Sequence, residues 1–98
     1  MTITREHKYG ETVLKIKGPL SVYEVAELRD QFLECLETYD GLRLDLSEVD
    51  ECDTAGVQLL YSARITVRDT GKSFDISNPS PSVINAMTLV GLKPEDIL

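Results

Sequence analysis

Near the start of the chain, apolar positions alternate with charged ones. Val13, Leu14 and Ile16 are interleaved with Lys15 and Lys17, so residues 12–17 read as a strand. Residues 4–9 read as its hairpin partner across a tight turn at Gly10-Glu11. Gly18-Pro19 breaks the pattern, and the period then changes. Val25, Leu28, Phe32, Cys35, Leu36 and Tyr39 recur at intervals of three and four, the stripe of an amphipathic helix over residues 22–39. Ser21 and Glu24 have the spacing of a capping box at its start, and Gly41 closes it. Leu42, Leu44 and Leu46 alternate with Arg43 and Asp45 in a third strand, followed by an acidic loop over residues 47–52. Asp53-Thr54-Ala55-Gly56 opens a second helix with Asp or Thr as its N-cap. Val57, Leu60, Ala63 and Val67 carry that helix to Asp69, with Gly71 at the C′ position. Phe74 and Ile76 mark a fourth strand. Asn78-Pro79-Ser80-Pro81 leads into a third helix, with Pro81 in its first turn, a stripe of Val83, Ile84, Met87 and Val90, and Gly91 as its cap. Residues 94–98 form a short tail with room for one more turn or strand. The order β-β-α-β-α-β-α predicts an α/β fold, one domain over residues 1–98, with helices packed on a mixed sheet.

Charge narrows the choice of partner. Ten Lys and Arg face 17 Asp and Glu, a net charge of −7 in 98 residues. An acidic surface repels nucleic acid and anionic lipid but suits a protein with a basic face. No apolar run approaches the roughly 20 residues that span a bilayer. The first nine residues lack the apolar core of a secretory signal, and two cysteines in a signal-free chain read as reduced and cytoplasmic. His7 is the only histidine, near the start of the chain. No His, Cys and carboxylate cluster has metal-ligand spacing, and no glycine-rich phosphate loop is present, so neither metal nor cofactor is expected. The carboxylates between Glu48 and Asp53 lack the glycine and terminal glutamate of a calcium loop and read as a solvated turn. The Asp53-Thr54 pair has no histidine near it in sequence to act as a general base, which argues against catalysis.

The pair makes physical sense as a contact point. Thr54 falls at a helix start, where about four backbone N–H groups lack partners and the macrodipole adds roughly half a positive charge. The simplest role for Asp53 or Thr54 is an N-cap worth about 1 kcal/mol. Gly56 reads as a close approach to a strand or to a partner. Val57, Leu60 and Cys35 read as core, Cys52 as a loop residue, and Tyr61 as either half-buried or an interface anchor.

The run Leu44-Asp45-Leu46-Ser47-Glu48-Val49, then Asp53-Thr54-Ala55-Gly56-Val57 and Leu59-Leu60, resembles the signature of the STAS domain. Gly18-Pro19-Leu20 matches the G-x-L before that family's first helix, and Gly71-Lys72 the break before its fourth strand. Residues 78–83 and Val90-Gly91-Leu92 resemble its last helix and G-L ending. The resemblance covers nearly the whole chain. It implies a non-enzymatic switch of the anti-sigma-factor-antagonist kind, bound by an anti-sigma-factor or serine/threonine-kinase type of ATPase. Thr54 would then be the phosphoacceptor, and Asp50, Asp53, Thr54, Ala55, Gly56 and Tyr61 the partner-binding residues. Many antagonists carry a second hydroxyl where this chain has Ala55. The same segment also resembles the small STAS subunit of a bacterial phospholipid-transport ABC system, in which the threonine supports contact with the ATPase subunit. The sequence leaves a homodimer open.

Overall fold

The computed structural model describes residues 1–8 and 10–93. β1 (Thr2–Lys8) and β2 (Glu11–Leu20) form an antiparallel hairpin; α1 (Val25–Thr38) crosses to β3 (Gly41–Cys52), α2 (Thr54–Arg68) to β4 (Ser73–Ser77), and α3 (Pro81–Leu89) follows. The sheet order is β1-β2-β3-β4, with β2–β3 and β3–β4 parallel. The expected mixed α/β architecture and element order are therefore present.

One face of the sheet is apolar and buried. Leu14 and Ile16 of β2, Leu42, Leu44 and Leu46 of β3, and Phe74 and Ile76 of β4 meet the helices. α1 contributes Leu28, Phe32 and Cys35, with the Phe32 ring edge-on to Phe74 at 6.5 Å between centroids. The other face carries charge: Arg43 bridges Glu11 at 3.1 Å and Asp75 at 3.8 Å across three strands, and Lys15 pairs with Glu48 at 3.6 Å. Opposite charges facing one another across strands suit a solvated face, where each such pair contributes at most a few tenths to 1 kcal/mol. Among the described residues no helix is long and apolar enough to cross a membrane.

Several boundaries differ from the sequence reading. Residues 47–52 are not a loop, because β3 continues through them alongside the end of β2. Gly18-Pro19 does not end β2: Gly18 takes φ +100°, and the strand runs on to Leu20. Two register shifts make this possible. Between Lys15 and Lys17, β3 carries one residue more than β2, and between Gly18 and Pro19 it carries another, Asp50. Each extra residue shifts the in-out alternation by one, so Val49 is buried while Glu48 and Asp50 are exposed. A charged, bulged strand reads as a loop because its period of two is interrupted.

α1 starts at Val25, three residues later than expected. Residues 21–24 form a turn in which the Glu24 carboxylate accepts from the Ser21 N–H at 3.2 Å, half of the anticipated capping box. Gly71 lies one residue beyond the C′ position of α2, since Asp69 is the C-cap. Val90 is the C-cap of α3 and is exposed, so it is not part of the buried stripe. Gly91 closes α3 at φ +80°, with Leu92 N–H bonded to Met87 O at 2.9 Å and Gly91 N–H to Thr88 O at 3.1 Å, the two bonds of a Schellman cap. The expectations for residue 9 and for the tail at 94–98 lie outside the described residues.

Candidate functional site

The carboxyl ends of β2 and β3 and the first turns of α2 and α3 meet at one end of the sheet, the place where α/β folds present their sites. Asp53 organises it. Its N–H bonds Leu20 O at 3.2 Å, continuing the β2–β3 pairing by one step. Its Oδ1 accepts from Gly56 N–H at 3.0 Å, which makes it the N-cap of α2, and its Oδ2 accepts from Val22 N–H at 3.0 Å. One carboxylate thus caps α2 and pins the turn that leads into α1. The neighbouring turn is secured separately: Ser80 caps α3 through Val83 N–H at 3.4 Å with Pro81 at the first helical position, and Ser82 Oγ donates to Asp50 O at 2.8 Å.

Asp53→Ala is expected to destabilise the protein by about 1–2 kcal/mol, from the lost cap and the released Val22 N–H. Asp53→Asn keeps one acceptor, its amide oxygen, for the Gly56 N–H and turns an NH2 donor toward the Val22 N–H, so it is expected to recover no more than about half of that. Urea denaturation measures both; an Asp53→Ala midpoint equal to wild type would contradict the double role.

Thr54 is the first residue of α2 and is exposed, and its hydroxyl has no hydrogen-bond partner among the described residues. Ala55 is half-buried, and Asp50, at the second bulge of β3, is exposed. Tyr61 is 40% exposed and lies seven residues after Thr54, hence on the same face of α2 and about 10 Å further along it, with exposed Gln58 between them. Gly56 is different. It is buried, and a Cβ there would stand 2.6 Å from Leu20 O, 2.9 Å from Leu20 Cγ and 3.1 Å from Cys52 Sγ. It brings α2 close to β2, the close approach to a strand that its lack of a side chain allows.

Cys52 is half-buried beneath this helix start. Burial, reinforced by the Asp53 carboxylate, pushes its thiol up to about 11, so it is protonated and unreactive at neutral pH. Among the described residues no three His, Cys, Asp or Glu side chains are grouped to hold a metal ion.

Two residues at this end were not singled out from the sequence. Val22 is 58% and Tyr23 90% exposed, both in the turn that Asp53 pins. The available signal was their phase: they precede the Val25-Leu28-Phe32 stripe without belonging to it. Exposed aromatic and aliphatic side chains beside an exposed hydroxyl form a surface suited to protein contact.

Comparison with known proteins agrees with this architecture. The family model described as "Mlab, STAS domain" matches residues 3–98. The chain is 26% identical over 95 residues to the anti-sigma-B factor antagonist of Bacillus subtilis (strain 168), covering 95% of this chain and 87% of that protein. Its fold is similar to that of the anti-sigma factor antagonist SpoIIAA in its unphosphorylated form, with a TM-score of 0.76 at 19% identity, covering 95% of this chain and 84% of the other. The Bacillus cell fate determinant SpoIIAA in its phosphorylated form is similar at a TM-score of 0.72 and 17% identity, covering 93% and 85%.

Proposed function

Because the chain belongs to the STAS domain family, we propose that it is a non-enzymatic, cytoplasmic signalling switch of the anti-sigma-factor-antagonist type. In this reading an ATPase of the anti-sigma-factor or serine/threonine-kinase kind docks on the surface around Thr54 and phosphorylates it. The observation that carries the reading is the setting of Thr54: an exposed hydroxyl without a hydrogen-bond partner among the described residues, on the first residue of α2, next to the Asp53 that pins the turn carrying exposed Val22 and Tyr23. The sequence likeness to an anti-sigma-B factor antagonist supports it, as does the fold shared with a protein solved in phosphorylated and unphosphorylated forms.

Added phosphate would bring about −1.5 to −2 charge to a helix N-terminus, where free N–H groups favour it. It would also stand close in sequence to Asp50, Glu51 and Asp53. These local effects oppose each other, and because the residue is exposed the fold has little at stake. A partner fitted to a neutral hydroxyl does: an unpaired charge buried at an interface costs about 2–5 kcal/mol, roughly 30- to several-thousand-fold in affinity. Thr54→Glu is expected to reproduce part of that loss, and Thr54→Ala to abolish modification with an unchanged unfolding midpoint. Ala55 removes the neighbouring hydroxyl, so the modification is confined to one residue of the segment. Mass spectrometry of the protein from its own cells under several stresses reads this directly.

The second reading, a subunit that contacts an ABC ATPase, uses the same surface without phosphorylation and is favoured by Ala55 and by the description of the matched family model. Thr54 that is never modified, together with a Thr54→Ala variant that loses an ABC-type complex, would replace the switch by this subunit.

A further inference from the structure

α1 and α2 lie side by side, and the seam between them is open. A hollow of about 390 Å³ near the start of α2 is bounded by Val25, Ala26, Ala55 and Leu59. A second, of about 260 Å³, continues it along Phe32, Leu33, Leu36 and Ala63. Leu59, Ser62 and Arg29 line both, so the two are one groove. Its walls are mostly apolar, with Gln58, Ser62 and Thr66 as the uncharged polar side chains among them, and only partly covered: Leu33 is 45% exposed, and Leu36 and Leu59 are half-buried.

The charge pattern around this groove is unusual for so acidic a chain. The first ten residues of α2, 54–63, contain no charged side chain, although Gln58, Tyr61 and Ser62 among them are exposed. α1 carries Glu27, Asp30, Glu34 and Glu37, yet among the described residues no ion pair joins Arg29 to any of them. Its helix neighbours three and four residues away are Val25, Ala26, Phe32 and Leu33, all apolar, so no carboxylate stands at the spacing that allows an ion pair along the helix. Across the seam it meets Ala55, Gln58, Leu59 and Ser62, again without a carboxylate. The groove is therefore a largely apolar trough with one cation in its wall and no carboxylate in its lining among the described residues.

We propose that this groove receives an apolar helical segment of a protein partner, and that the segment carries a carboxylate that pairs with Arg29. Covering the trough with apolar side chains alone would strip water from an unpaired guanidinium, a heavy cost that a carboxylate on the incoming segment removes. A seam between two helices accepts a third helix through apolar side chains at positions i, i+3 or i+4, and i+7. On α1 the lining runs from Val25 to Leu36, which makes the trough about 17 Å long, enough for some three turns of partner helix. The proposal does not depend on Thr54 or on its modification.

A displayed library of peptides of about 15 residues, selected on the purified chain, tests it. The selected peptides are expected to share apolar positions at helical spacing and one Asp or Glu, and to shift amide resonances along residues 25–36 and 55–66. Arg29→Glu, at an exposed position, is expected to fold normally and to bind such a peptide at least about tenfold more weakly. Replacing the peptide's carboxylate with lysine should restore binding to that variant and to it alone. Selected peptides without a carboxylate, an unchanged affinity in Arg29→Glu, or shifts that map elsewhere would overturn the proposal. So would self-association in sedimentation that Leu59→Asp abolishes, since the occupant would then be a second copy of the chain.

Discussion

Leu44→Ala is expected to lower the free energy of unfolding by about 2–5 kcal/mol, a large share of the 5–15 kcal/mol that holds a domain of this size together. Leu44 sits on β3, with β2 on one side and β4 on the other, in register with Leu14 and Ile76. All three side chains point to the helix-covered face, and Leu44 and Leu14 have no exposed surface. The strands are fixed on both flanks by their hydrogen bonds, so they cannot close over the gap left by the truncated side chain. The transfer cost of the lost methyl groups is therefore joined by a cavity cost. Leu89→Ala is the matched control: Leu89 is 85% exposed at the end of α3, and its truncation is expected to stay within about 0.5 kcal/mol of wild type. Urea denaturation reads both. A Leu44→Ala midpoint equal to wild type would remove β3 from the centre of the sheet.

The sequence was most legible where one physical signal dominated. The alternation of Leu42, Leu44 and Leu46 and the stripe Val57, Leu60, Ala63, Val67 survive in the structure as buried faces. Ser80 and Pro81 gave the start of α3 through local chemistry alone. It was least legible where two backbones meet. The second half of β3 is a strand because the end of β2 supplies its hydrogen bonds across two bulges, and nothing within residues 47–52 announces that partner. Asp53 shows the same limit. Its capping role could be read from the Asp-Thr-x-Gly spacing, but its bond to Val22 N–H spans 31 positions and depends on how the β2–α1 turn folds back. The groove beside α1 was hidden for a related reason. Arg29 looks like an ordinary surface cation in the sequence, and only the packing of α2 against α1 shows that its surroundings are largely apolar on both helices.

Gly56→Trp is expected to leave no cooperatively folded protein, and this outcome decides how the surface around Thr54 can be probed. A Cβ alone would stand 2.6 Å from the Leu20 carbonyl oxygen, a distance at which something must move. That oxygen is not free to yield, because it accepts the Asp53 N–H that closes the β2–β3 pairing. Leu20 Cγ at 2.9 Å and Cys52 Sγ at 3.1 Å close the space from the other sides. Gly56→Ala therefore sets a gain of about 1 kcal/mol in helix propensity against a clash costing about 1–3 kcal/mol or more, with a net loss expected. An indole has no volume to enter at all. Bulk at this position would abolish partner binding by unfolding the first turn of α2, so loss of binding in Gly56→Trp carries no information about the interface. Gln58→Trp places the same bulk on the exposed face of the same helix, one turn from Thr54, and is expected to unfold at the wild-type midpoint while obstructing a partner that docks there. Circular dichroism through a urea titration separates the two variants. A Gly56→Trp protein that unfolds cooperatively at the wild-type midpoint would mean that Gly56 faces outward, and that α2 does not rest on the end of β2.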